Sequence, residues 1–215
     1  KLPDEPRRLG LLLTGERNSA GWMGGDTETV DFFDLKGVIE EIVAGMHLSD
    51  VQVQRATHPS LHPGRSATLV SGKTVIGDFG ELHPLVAQAF DLEGAPVLVA
   101  EFDLEAMMRA ADAHFKLVNL PVTPPVLEDI ALVVAESLPA AEVEAVIRKA
   151  GGDLLKGVRL FDVYTGSPIP AGKKSLAYSL TYQTDERTLT DKEVAKLRKK
   201  IVKAAEKQLD AQLRA

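Results

Sequence analysis

The sequence predicts an α+β protein of two domains, each with a largely antiparallel sheet, and three observations carry this prediction. Residues 175–182 alternate between large apolar and small side chains, the pattern of a strand with one buried face. Helical periodicity of apolar residues separates such strands in both halves. A proline-rich segment, PVTPP, ends at Pro125 and favours extended chain between the halves.

The second half is predicted as strand, helix, strand, strand, helix and a short last strand. A strand at 129–134 precedes the helical segment PAAEVEAVIRKAG, with Pro139 suited to a first turn and Gly151 to the stop. The second helix opens at Thr190, where Glu193 completes a capping-box pattern. The last strand is expected within 208–215. This βαββαβ order puts both helices on one face of an antiparallel sheet and leaves the other face, the open face, uncovered.

Two interpretations of the open face follow from the residues alone. Alternation assigns Phe161 and Val163 to one side of their strand, and Leu160, Asp162 and Tyr164 to the open face. Ser175 joins this face from the next strand, among small residues. The face is either an ordinary solvated surface or a platform that receives unstacked bases, as RNA-binding sheets of this topology do.

Three segments of the second half carry a family resemblance. LFDVYTG, GKKSLAYSLTYQ and RTLTDKEV, in this order and spacing, resemble the ferredoxin-fold anticodon-binding domain of the bacterial phenylalanyl-tRNA synthetase β subunit, over 125–214. The resemblance implies recognition of the tRNA-Phe anticodon stem-loop. The family's RNA contacts fall on Ala131, Asp162, Tyr164 and Ser175. Where the family usually has arginine, this chain has Glu128, so we expect a phosphate contact beside Ala131 to be lost.

The first half resembles another part of the same subunit. VDFFDLKGVIE, LHPGRSA and IGDFGELHP are similar to its catalytic-like module, a class II synthetase fold without an active site. The resemblance implies two domains: a truncated class II synthetase-like α/β module at 1–115, and a ferredoxin-like βαββαβ anticodon-binding domain at 116–215. It implies a non-catalytic scaffold for the α subunit, with which the holoenzyme would use ATP and magnesium. The fragment alone is expected to bind neither cofactor and to be inactive.

Local patterns predict the elements of the first half. Arg8–Thr14 is a buried strand, and 32–46 is a helix in which Gly37 marks close packing. A strand follows from Val51, then a loop at 57–67. Two further strands joined by a tight turn, a short helix opening at Pro84, and a strand at 96–104 complete this half.

Composition narrows the possible functions. The 215 residues are 45% hydrophobic and include no cysteine, which excludes disulfides and thiolate metal sites and fits a cytoplasmic protein. No apolar run approaches the roughly 18 residues of a membrane span. Residues 1–116 carry 10 basic and 18 acidic side chains, whereas 117–215 carry 15 and 13. Only the second half is therefore suited to approach a phosphate backbone.

Other candidate sites have simpler explanations. ATLVSGKT at 67–74 meets the loose form of a phosphate-binding loop, but a strand and not a helix follows it, so a hairpin turn is expected. His58, His62 and His83 lie beside prolines without the geometry of a zinc site. The lysines of the last helix are expected to form a solvated face. No metal site and no catalytic constellation is predicted, which leaves an enzyme in its own right the weaker alternative. A protein-binding module that uses the same sheet face is the other alternative.

Overall fold

A computed structural model describes residues 3, 5–18, 21, 22, 24, 28–112, 114 and 121–214. The chain divides into two compact units, Lys1–Leu117 and Val118–Ala215. Much of the predicted boundary segment, at 113 and 115–120, lies outside the described residues. Residues 121–125 contain neither helix nor strand, in agreement with the proline-rich sequence.

The first unit has a five-stranded antiparallel sheet with the strand order β1-β5-β4-β3-β2. Its elements along the chain are β1 (Arg8–Thr14), α1 (Phe32–Gly45), β2 (Val51–Arg55), β3 (Leu61–Ser71), β4 (Thr74–Leu82), α2 (Pro84–Ala89), β5 (Val97–Asp103) and α3 (Leu104–Ala110). The core lies between α1 and the sheet, where Leu35 and Ile39 of the helix join the rings of Phe79 and Phe102. Burial of this apolar face stabilises the unit.

Glycines allow the strands of the first unit to approach closely within IGDFG. A Cβ atom on Gly77 would lie 2.0 Å from the carbonyl oxygen of Glu101 on the neighbouring strand. Gly80 has a φ of +157°, and a Cβ there would lie 2.4 Å from the carbonyl oxygen of Arg65. Both positions therefore require glycine for steric reasons.

The structure of the first unit differs from the predictions in four details. The expected loop at 57–67 is largely strand, because β3 begins at Leu61 and pairs with Leu82. The helix α3 was not predicted; the Asp103 carboxylate caps it by accepting from the amide of Ala106 at 2.8 Å. A Cβ on Gly37 would meet nothing within 4 Å, so this glycine does not mark close packing. The strand at Arg8–Thr14 is present, but it lies at the edge of the sheet and none of its residues is buried, so the prediction of a buried strand is wrong. The other strands, helices α1 and α2, and the hairpin turn at 71–74 are confirmed.

The second unit has the predicted order βαββαβ. Its elements are β6 (Val126–Ala135), α4 (Ala140–Gly151), a 3₁₀ turn (Gly152–Leu154), β7 (Leu155–Tyr164), β8 (Lys173–Tyr182), α5 (Asp191–Leu209) and β9 (Gln212–Leu213). The strands are antiparallel in the order β7-β8-β6-β9. The core lies between this sheet and the two helices, which supply Val143, Ile147, Val194, Ile201 and Ala205.

Local chemistry fixes where α5 begins. The predicted capping box is present: the Glu193 carboxylate accepts from the amide of Thr190 at 3.0 Å and from its hydroxyl at 2.8 Å. Hydrogen bonding from Arg187, then from the backbone of Thr190, holds the pKa of Glu193 well below its usual range. The helix start is therefore tied to the turn that precedes it.

Candidate nucleic-acid interface

The register of the second sheet arranges the open face in rows. Directly opposite residues of antiparallel strands share a face, so each row crosses β7, β8 and β6. One row is Tyr164, Ser175 and Val133. The next row is Asp162, Ala177 and Ala131. The four predicted site residues Ala131, Asp162, Tyr164 and Ser175 therefore lie on one face, in two adjacent rows.

A β-bulge in β7 corrects the predicted assignment of Leu160. Leu160 pairs with Tyr178 and the next paired residue, Asp162, pairs with Ala177, so Phe161 is the extra residue of the bulge. Leu160 consequently lies on the helix side and packs against the core, not on the open face. The bulge keeps Asp162 and Tyr164 in phase with the open face of β8. Phe161 and Val163 are both exposed.

Tyr164 supplies an aromatic ring at one edge of the open face. Its side chain is 38% exposed, and its hydroxyl donates a hydrogen bond to the carbonyl oxygen of Ser167 at 2.8 Å. A Cβ on Gly166 would lie 2.9 Å from this hydroxyl, so the turn after β7 passes close to the end of the ring. The ring is thus held in place at the edge of the open face.

Arg214 is a member of this face that the sequence analysis missed. Its amide donates to the carbonyl oxygen of Ala131 at 2.8 Å, which extends the pairing of β9 with β6 by one residue. Its guanidinium carbon lies 5.4 Å from the centroid of the Tyr164 ring, a cation–π distance. The available signal was an arginine within the segment expected to contain the last strand, but the sequence pattern does not show which ring it reaches.

The contact between Arg214 and Tyr164 crosses the sheet. Strands β8 and β6 separate the two backbones, so these lie roughly 14 Å apart at the usual spacing of neighbouring strands. The two side chains therefore meet above β8 and β6. Tyr164 ends the row of Ser175, 2% exposed, and Val133, 7% exposed, whereas Arg214 ends the adjacent row, opposite Ala131. Ala177 and Ala131 in that adjacent row are only half-buried.

The burial of Ser175 corrects the prediction that this whole face is free. Ser175 is on the predicted side of β8, but in this arrangement its hydroxyl cannot contact a base. The sequence pattern placed the side chain on the right face and gave no measure of what lies over it. Asp162 differs, because it is exposed and its carboxylate has no hydrogen-bond partner in the described part of the chain.

Glu128 lies on the opposite face from the one expected. It pairs with Leu180, whose side chain is in the core, and it is three residues from Ala131, which puts the two on opposite sides of a strand. Its Oε2 atom is buried without a hydrogen-bond partner in the described residues. Burial, followed by the negative charge of Glu128, raises the pKa of Tyr182 to about 12. The lost phosphate contact expected at Glu128 therefore does not belong to the open face.

Charges on and around the open face are mixed. A third row carries Arg159, Ser179 and Asp129, with the two charged side chains exposed at its ends. The lysines of α5 are exposed while Val194, Ile201 and Ala205 of the same helix are buried, which confirms a solvated basic stripe. This helix packs on the opposite side of the sheet. The open face itself therefore offers few cations to a phosphate backbone.

The histidines of the first unit have structural roles. The Nδ1 atoms of His58, His62 and His83 each accept a hydrogen bond from the amide two residues later, at 3.0 to 3.2 Å. His58 and His83 therefore stabilise local turns beside proline, as predicted. His62 makes the same local hydrogen bond, but it lies within β3 and not in the predicted loop. Among the described residues, no group of three or more potential ligands is arranged to hold a metal ion.

A cavity of about 560 Å³ opens on the sheet of the first unit. Arg8, Asp78, Glu101 and Asp103 are among its lining residues. Arg8 lies 3.9 Å from the Glu101 carboxylate and 3.7 Å from that of Asp103, so its charge is already compensated. A cavity with this excess of carboxylates is poorly suited to a triphosphate.

Comparison with known families matches both units. Residues 121–214 match the ferredoxin-fold anticodon binding domain, and residues 1–104 match the phenylalanyl tRNA synthetase beta chain CLM domain. No helix in the described ranges is both long and apolar enough to cross a membrane.

Three curated relatives of this chain are phenylalanine–tRNA ligase beta subunits. The phenylalanine–tRNA ligase beta subunit of Symbiobacterium thermophilum is 44% identical over 214 residues, covering 100% of this chain and 24% of the relative. Those of Syntrophotalea carbinolica and Moorella thermoacetica are 42% and 44% identical, each covering 99% of this chain and 26% of the relative. The chain thus spans about a quarter of the length of the curated relatives it matches.

Proposed function

Because the chain belongs to the family of phenylalanine–tRNA ligase beta subunits, we propose that the open face of the second unit recognises the anticodon stem-loop of tRNA-Phe. The observation that carries this proposal is the pair of adjacent rows on that face. They combine a held aromatic ring, an exposed carboxylate and a floor of small side chains, the features on which unstacked bases are bound.

Each residue of the two rows has a separate role. The Tyr164 ring stacks on a base, and the Asp162 carboxylate accepts hydrogen bonds from a base edge. Ala131, in the row of Asp162, keeps the floor of the open face low enough for a planar base. Ser175 donates or accepts a hydrogen bond only after its cover moves, since its hydroxyl is buried in the present arrangement.

The charge of the second unit limits its affinity. Residues 117–215 carry a net charge of only +2, and the open face mixes Arg159 and Arg214 with Asp129 and Asp162. Few phosphates can be neutralised by such a surface, so the isolated chain binds RNA weakly and gains its specificity from base contacts. A domain that recognises a few bases with so little positive charge functions best inside a larger assembly that holds the rest of the tRNA.

The first unit has a supporting role in this proposal. Residues 1–115 form a class II synthetase-like module without an active site, which serves as scaffold for the α subunit, and 116–215 form the anticodon-binding domain. The α subunit supplies the amino-acid chemistry of the ligase, with ATP and magnesium. The excess of carboxylates around the cavity of the first unit supports a non-catalytic role for this part of the chain.

Replacement of Tyr164 tests the RNA site. We expect Tyr164→Ala to weaken binding of a labelled tRNA-Phe anticodon stem-loop by about 5- to 150-fold, the worth of one base–aromatic stack. Tyr164→Phe keeps the ring and should retain most of the affinity. Phe33→Ala removes an exposed ring of the first unit and serves as the matched control. Unchanged affinity in Tyr164→Ala would contradict the assignment. Binding of a protein partner but no RNA to the same face would favour the interaction-module alternative.

Pyrophosphate exchange tests the scaffold role. We expect no exchange when the purified chain is incubated with ATP, phenylalanine and magnesium, and exchange when full-length β and α subunits are combined. Exchange by the chain alone, in material free of host synthetase, would show that the first unit is catalytic.

A further inference from the structure

We propose that Arg214 occupies the place of a base on Tyr164 and is exchanged for one when RNA binds. In the bound state an unpaired base stacks on the ring, Ser175 becomes accessible, and the freed guanidinium binds an RNA phosphate. This inference rests on the proposed function of the open face and adds a residue and an order of events to it.

The geometry shows which partner of the cation–π contact can leave. The Tyr164 ring is held by the hydrogen bond from its hydroxyl to Ser167, and the turn at Gly166 passes close to the same end of the ring. Arg214 is fixed only through its backbone, by the amide that donates to Ala131. Within the described residues its guanidinium forms no ion pair, although Asp162 lies on the same face. The arginine side chain can therefore swing away while the ring stays in position.

The burial of Ser175 indicates what the exchange accomplishes. Ser175 lies directly opposite Tyr164 and is almost wholly buried, whereas Ala177 and Ala131 in the adjacent row are half-buried. Removal of the guanidinium opens the space beside the ring from above. A base that takes this space then lies within reach of the Ser175 hydroxyl.

Physical chemistry favours the exchange in the presence of RNA. An exposed cation–π contact is weak, whereas stacking of a base on an aromatic side chain is stronger. The guanidinium does not lose a partner, because its planar set of donors matches a phosphate, and a base on Tyr164 brings its own phosphates to the edge of the face. In the free protein the guanidinium lies on the ring that a base would use.

Nuclear magnetic resonance of the whole chain reports whether the Arg214 side chain lies on the Tyr164 ring. A side chain over an aromatic ring has upfield-shifted δ-methylene signals, so we expect this shift for Arg214 in the free wild-type protein. Tyr164→Leu should abolish it, whereas Arg159→Gln, which removes a charge from the same face, should retain it. Saturation with the anticodon stem-loop should move the Arg214 signal to its position in Tyr164→Leu. An upfield signal that persists in the complex would overturn the exchange.

The salt dependence of binding tests the phosphate contact. Loss of one phosphate contact lowers the slope of log affinity against log salt by about 0.7 to 0.9, which is the change expected for Arg214→Gln. Arg214→Lys should keep the wild-type slope because the charge remains. A wild-type slope in Arg214→Gln would also overturn the exchange. If the wild-type protein does not bind the stem-loop at all, the proposed function itself fails; binding with an unmoved Arg214 signal removes only the role of Arg214.

Discussion

The two faces of β8 are buried in different ways. On one face, Leu176, Tyr178, Leu180 and Tyr182 are all buried by the two helices. On the other face, Ala177, Ser179 and Thr181 are half-buried, and only Ser175 is fully covered. The first face is closed by secondary structure, whereas the second carries a contact between two side chains, Tyr164 and Arg214. Exposing the first face would require the helices to unfold, whereas a contact between two side chains can open when a ligand binds.

The largest effect is expected on the helix face, at Tyr178. The ring is 0% exposed and its hydroxyl donates to the carbonyl oxygen of Ala140 at 3.0 Å, which joins β8 to the start of α4. We expect Tyr178→Ala to lower the free energy of unfolding of the second unit by about 3–5 kcal/mol, because a large core side chain leaves a cavity. Tyr178→Phe should cost only about 1 kcal/mol, for the hydrogen bond.

Urea unfolding followed through methyl signals of the second unit measures this loss. The only tryptophan, Trp22, lies in the first unit and does not report the second. If Tyr178→Ala and Tyr164→Ala destabilised the unit equally, the distinction between the two faces of its sheet would be wrong.

An intermediate effect is expected at alkaline pH from Tyr182. Burial, with the charge of Glu128, raises the pKa of this tyrosine from the usual 10 to about 12 in the folded state. The stability that it contributes is complete below pH 10, where the unfolded tyrosine is still protonated, and is lost as the pH rises toward 12. We expect a loss of about 2 kcal/mol from this group by pH 11.5.

Tyr182→Phe isolates this contribution. The variant should lose less stability than the wild type between pH 9 and 11.5 in the same urea assay. At pH 7 it should match or exceed the wild type, because the hydroxyl is buried without a hydrogen-bond partner in the described residues. Parallel pH curves for the two proteins would contradict the assignment.

The smallest effect on stability is expected on the open face, at Ala131. Ala131→Val adds two methyl groups to a half-buried strand position, and the free energy of unfolding should stay within about 0.5 kcal/mol. Affinity for the anticodon stem-loop should nevertheless fall about fivefold, the lower end of the worth of one stacked base. Ser179→Ala, in the next row, should change neither quantity. Equal RNA affinity in Ala131→Val would show that the base does not lie on this floor.

The β7 strand shows where prediction from alternation ends. Asp162 and Tyr164 were assigned to the correct face, but Leu160 was not, because one extra residue at Phe161 shifts the phase between them. A bulge depends on hydrogen bonds to the partner strand, which a single strand's pattern does not contain. The same limit explains the first unit, where proline and histidine in 57–67 resembled a loop although β3 begins at Leu61 and pairs with β4 at Leu61, Ser66 and Ala67.

Glu128 illustrates the opposite case. Its three-residue separation from Ala131 already places it on the other side of the strand, and the expected phosphate contact followed from the family comparison alone. The strict two-residue period of β6 was the more reliable guide, because the pleat leaves no other geometry.

The sequence by itself determined the order of elements in the second unit, the helix face of β8, the start of α5 and the face on which the four candidate residues lie. These depend on periodicity and capping, which act over a few neighbouring residues. Only the tertiary structure decided that Ser175 is buried and that Arg214 belongs to the site. Tyr164 and Arg214 are 50 positions apart in the chain, and they meet because the sheet order places β7 and the end of β9 on either side of two strands. Such a contact arises from the packing of distant strands, and no local pattern encodes it.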